Sequence, residues 1–156
     1  MNIQVKKIRK LYKEILKQIH DMTQNIDITQ SDNILKIINM TNINNQFNTI
    51  DYWDKFKPDV MRPYSILNTD KESDIGHGTH WVGCYQDDNH TIYIYDSFAR
   101  KNIMRDFIRQ MNKQGFTCFY TNLKPDQQNE QIDCGIRSML WLLFVDKYNI
   151  EVAGKI

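Results

Sequence analysis

The stretch Gly135-Ile136-Arg137-Ser138-Met139-Leu140-Trp141-Leu142-Leu143-Phe144-Val145, preceded by Asp133-Cys134, is almost wholly apolar. It is too long for a typical strand and reads as a helix buried on most of its circumference, with Cys134 at its start. Working outward, residues 79–85 and 91–96 are rich in β-branched and aromatic residues. The polar connection Gln86-Asp87-Asp88-Asn89-His90 between them predicts a hairpin of two antiparallel strands. Ile103, Met104, Phe107, Ile108 and Met111 then repeat at helical spacing, and Gly115 stands where a left-handed C-terminal cap belongs. A third strand is expected over 116–121, and the polar residues 122–132 read as a loop.

Toward the N-terminus, Ile8, Leu11, Ile15, Ile19 and Met22 recur at spacings of three and four with Lys6, Lys7, Lys10, Lys13 and Lys17 between them, an amphipathic helix whose basic side is ordinarily a solvated face. A second short helix is expected from Ser31 or Asp32, either of which can cap it, carrying Ile34, Leu35, Ile37 and Ile38 inward. Residues 41–48 read as loop. Between 51 and 68, Tyr52, Trp53, Phe56 and Tyr64 alternate with Pro58 and Pro63, which suggests irregular packed structure with short pieces of helix or strand.

The chain has 156 residues, 41% of them hydrophobic, which fits one domain: about 150 residues can bury roughly 70% of their unfolded surface. We expect a single domain over 1–156, with a helical N-terminal part over 1–45 and a core over 51–150. Lys and Arg total 20 against 19 Asp and Glu, a net charge of +1 that marks neither a strong nucleic-acid binder nor an acidic tail. The first ten residues hold no signal-peptide core, and no apolar run approaches the roughly 20 residues that span a bilayer, so a soluble, intracellular protein that is not secreted is expected. Cys84, Cys118 and Cys134 are odd in number and widely spaced, which leaves at least one thiol free.

A thiol at a helix N-terminus feels the positive end of the backbone dipole and nearby amides, which favour the thiolate. A cysteine beside an apolar helix is ordinarily just a small core residue, so its surroundings decide. Gly76-His77-Gly78-Thr79-His80-Trp81 places His80 at a strand start, with Gly78 allowing backbone or substrate to come close. The second strand ends in Asp96, a carboxylate able to accept the imidazole N–H and hold the useful tautomer. Gln128, six residues before Cys134, supplies an amide that can donate to a developing oxyanion together with the Cys134 backbone N–H, and Gly135 would let substrate lie against the nucleophile. A zinc site built from His77, His80 and Cys84 with Cys118 or Cys134 is the main rival. It lacks a compact Cys-x2-Cys pair and leaves Gln128 and Asp96 without a role.

The order His-Asp-Gln-Cys, with Gly78-Thr79-His80-Trp81, Tyr95-Asp96-Ser97-Phe98 and a Gln128-x5-Cys134-Gly135 block, resembles the adenovirus-type (adenain-like) maturation proteases and their relatives that process SUMO and other ubiquitin-like proteins. The likeness covers residues 53–144. It implies an α+β fold in which a small mixed sheet packs against the helix carrying the catalytic cysteine, with additional N-terminal helices. It implies catalytic roles for His80, Asp96, Gln128 and Cys134, and a substrate-binding role for Trp81 as a wall of the channel that admits glycine.

The activity so implied is that of a thiol endopeptidase maturing viral capsid and core precursors at Gly-Gly or Gly-x-Gly sites. Removal of ubiquitin-like tags is the alternative, with acetyl transfer and a silent binding module behind it. Asn68-Thr69 looks like the adenovirus enzyme rather than the SUMO proteases, and the short length and the Asn-, Ile-, Lys- and Gln-rich composition look most like the members of this family in virophages, Polinton-like elements and large DNA viruses. The setting would be the virion and the host cell interior. Neither metal nor small-molecule cofactor is required, no membrane is involved, and a monomer is expected. DNA stimulates the adenovirus enzyme, and the basic helix Lys6 to Lys17 is the feature here that would support it. That enzyme also joins a peptide cofactor by a disulfide near the place of Cys118, although an isolated strand cysteine is ordinarily a core residue. It has Glu where Asp96 stands, but Asp is common among the relatives.

Overall fold

The computed structural model describes residues 3–24, 31–74, 80–100, 102–122, 124–125 and 133–156. Its fold is α+β, a five-stranded mixed sheet with helices packed against it. The helices are α1 (Ile3–Met22), α2 (Ser31–Ile38), α3 (Arg105–Lys113), α4 (Cys134–Tyr148) and α5 (Ile150–Ala153). The strands are β1 (Phe47–Tyr52), β2 (Tyr64–Asn68), β3 (Trp81–Gln86), β4 (Thr91–Tyr95) and β5 (Thr117–Tyr120), adjacent in that order. β1 runs parallel to β2 and β5 parallel to β4, while the central pairs β2–β3 and β3–β4 are antiparallel.

Alternation along the central strands feeds two separate cores. Ile66, Trp81 and Tyr95 face one cluster with α1, α2 and α4. Leu67, Val82, Cys84, Ile92 and Ile94 face the other, with Trp53, Phe56 and the α3 residues Phe107 and Met111. Helix α4 lies against β3 and is buried from Cys134 through Leu142 and again at Phe144 and Val145, as its apolar composition requires. The hairpin and α3 form as expected, and Gly115 adopts φ +89°, with the Phe116 amide closing back on the Met111 carbonyl at 3.0 Å.

Three details of the N-terminal half differ from expectation. The inner line of α1 is Val5, Ile8, Tyr12 and Leu16, with Leu11, Ile15 and Ile19 only flanking it and Met22 73% exposed. Tyr12 turns the helix: its ring meets the edge of Phe144, and its hydroxyl pairs with that of Tyr95 at 3.2 Å. Apolarity alone passes over a tyrosine, whose polar tip needs a buried partner. In α2, Ile34 and Ile38 are buried and Leu35 is exposed. Finally, Phe47 and Asn48, read as loop, already belong to β1, while the 51–68 segment holds the expected short pieces, a helical turn at Trp53–Lys55 and the strand β2.

Trp141 joins α4 to the sheet. It is fully buried, stacks on Tyr95 with ring centroids 5.4 Å apart, and donates from Nε1 to the Ala153 carbonyl at 3.2 Å. A Cβ on Gly83 of β3 would stand 3.2 Å from its ring, so glycine there is what lets helix and strand approach. Trp141→Ala is expected to cost about 3–5 kcal/mol in urea unfolding, because the cavity cannot close between a helix and a strand already in contact. A loss below about 1 kcal/mol would mean that the two collapse together after all.

Candidate active site

The antiparallel register Gly83↔Tyr95 brings the start of β3 and the end of β4 to the same end of the sheet. His80 immediately precedes β3 and Asp96 immediately follows β4. Their side chains meet, Nε2 to Oδ1 at 2.6 Å, with His80 7% and Asp96 0% exposed. Helix α4 starts at this end too. Cys134 is its first residue, 5% exposed, and its Sγ accepts the backbone N–H of Trp81, the residue after His80, at 3.4 Å.

Asp96 is held by its own turn. The amides of Phe98 and Arg100 donate to Oδ1 at 3.0 Å and Oδ2 at 2.9 Å, while the Ala99 amide closes on the Asp96 carbonyl at 2.8 Å with Ala99 at φ +52°. The Asn122 side chain bridges the Asp96 backbone, donating to its carbonyl and accepting its amide. The Phe98 ring lies 5.0 Å from the His80 ring and limits its swing. Burial works against an ionised Asp96, yet the His80 hydrogen bond and charge and the Arg100 and Phe98 amides outweigh it and hold the carboxyl below its ordinary value. This carboxylate is a fixed acceptor that orients the imidazole.

The thiol departs from expectation. Burial pushes Cys134 up, the amides of Trp81, Gly135 and Cys134 itself pull it down without reversing that, and the charge of Asp133 pushes it up further. The amides of the helix N-terminus therefore ease ionisation without offsetting burial.

No family model, curated protein or solved structure matches this chain.

Three residues expected at the site, His80, Asp96 and Cys134, come to one end of the sheet, and Trp81 joins them through its backbone amide. Gln128 and Gly78 lie outside the described residues, as does His77 of the zinc alternative. Gly135 also has a packing reason. It is buried, and a Cβ there would come within 2.5 Å of the Ile34 side chain, so the missing side chain makes room for α2.

The zinc reading loses the pairing of Cys84 with Cys134. Cys84 faces the α3 side of the sheet while Cys134 faces the other, and among the described residues no three His, Cys, Asp or Glu side chains gather where they could hold a metal. Arg100 and Asn122 were missed, and Phe98 stood in the Tyr95–Phe98 block without a role. Asp followed by Ser97, at the head of a tight turn, carries the local signal of a side chain bonding its own backbone ahead. Asn122 carries none.

Proposed function

We propose that this chain is a cysteine endopeptidase of the adenovirus-type lineage, maturing viral capsid and core precursors at Gly-Gly or Gly-x-Gly sites. The observation that carries this reading is the buried His80–Asp96 pair beside Cys134, whose sulfur takes the amide of the residue next to His80. Because Nε2 of His80 is committed to Asp96, Nδ1 is the nitrogen that takes the thiol proton. The sulfur then forms a bond to the scissile carbonyl carbon. The Cys134 amide and Gln128 receive the oxyanion, and the C–N bond breaks as His80 gives its proton to the leaving amine. Water deprotonated by His80 hydrolyses the thioester and restores the thiol.

The test is a panel of Gly-Gly and Gly-x-Gly peptides beside a ubiquitin-like fusion, offered to the full chain before and after alkylation mapped to Cys134 by mass spectrometry. Peptide cleavage that disappears with the Cys134 label and survives a chelator is expected. Cys118, whose thiol burial raises to about 11, should label more slowly. Cleavage of the fusion alone would replace precursor maturation by tag removal, and cleavage that persists on fully labelled Cys134 would sink the mechanism.

A further inference from the structure

Asp133, the residue before the nucleophile, occupies the N-cap of α4. An aspartate in that place ordinarily turns its carboxylate onto the free amides of the first turn. Here its side chain makes no capping hydrogen bond. Oδ1 instead accepts from Nε of Arg137 at 2.8 Å, and Oδ2 meets Nε2 of His20 at 2.6 Å. His20 lies in the last turn of α1, with its side chain 41% exposed, while those of Asp133 and Arg137 are 1% and 6% exposed. With the carboxylate turned aside, the amides of Cys134 and Gly135, together with that of Trp81, serve the sulfur. Swung back onto the first turn, it would compete for the Gly135 amide and set a full negative charge against a thiolate and an oxyanion.

We propose that His20 and Arg137 are positioning residues that hold the Asp133 carboxylate off the N-terminal amides of α4 and so keep those amides for the Cys134 thiolate. The role rests on the reading of Cys134 as nucleophile. Arg137 restrains one oxygen from within the same helix and can follow the carboxylate as it turns. His20 pins the other oxygen from a separate element, and that second point stops the rotation. Helix α1 thus acts on the site through Asp133.

The test is the pH dependence of Cys134 alkylation in the full chain, read by mass spectrometry. Its midpoint should rise by about one pH unit in His20→Ala, the shift a like charge at close range produces. His20→Gln, whose amide can donate to the same carboxylate, should restore the wild-type midpoint. In an Asp133→Asn background the His20→Ala shift should vanish, since the effect runs through the Asp133 charge. An unchanged midpoint in His20→Ala overturns the proposal, as does an equal shift in both backgrounds, the signature of general loosening. Alkylation needs no peptide substrate, so the expected shifts in a chain that cleaves nothing would count against the protease reading and leave the positioning role standing.

Discussion

Cys134→Ala is expected to lower kcat about a millionfold while leaving substrate affinity and the fold nearly intact. In the proposed mechanism the thiol forms the acyl bond, and among the described residues no other thiol stands at this end of the sheet: Cys84 lies on the opposite face and Cys118 on the edge strand β5. The substitution removes one sulfur that takes the Trp81 amide of β3 and the first amides of its own helix, so stability should change by about 1 kcal/mol or less. Single-turnover cleavage and inhibitor binding measured side by side check this. A variant that keeps one per cent of the wild-type rate would mean that the cysteine is not the nucleophile.

Asp96→Asn is expected to cost about ten-thousandfold in kcat with little change in KM, because a neutral amide can present its N–H to Nε2 and select the wrong histidine tautomer. Nδ1 would then carry a proton and could not accept another. The same substitution has a signature in stability. Asp96 titrates below its ordinary value of 3.8, so folding is favoured by its ionised form. That contribution is fully present above about pH 4 and is lost as pH falls through the lowered folded value. Urea midpoints across that range should fall steeply for wild type and less so for Asp96→Asn. Equal slopes would mean that the carboxylate is not held by the pair and turn seen here.

The parts of the fold legible in the sequence share one property. α4 has no polar face, the β3–β4 hairpin has alternating strands around a polar turn, and α3 ends in a glycine at positive φ. Each signal lies within about fifteen residues and needs no knowledge of the rest of the chain. β2 gave no such signal because all five of its residues are buried between two cores, which erases the alternation. β1 is an edge strand paired in parallel with β2, so it has neither a hairpin turn nor a clean apolar face to announce it.

The site divides in the same way. His80, Asp96 and Cys134 were legible because each stands at the end of an element whose type the sequence declares, and the order of those ends suggests the chemistry. Their meeting was decided by the strand register and by the packing of α4 on β3, which depend on contacts between residues 16 and 53 positions apart. The upward push on the thiol came from burial, a property of the assembled core. Gly135 turned out to serve α2, and Asp133 found its partner in His20, 113 residues away. The sequence by itself determined which chemical groups are present and which local elements carry them, because short-range periodicity and residue chemistry are written along the chain. Only the tertiary structure decided which of those groups touch and how far each is from water, because both are set by packing between segments that have no relation in the chain.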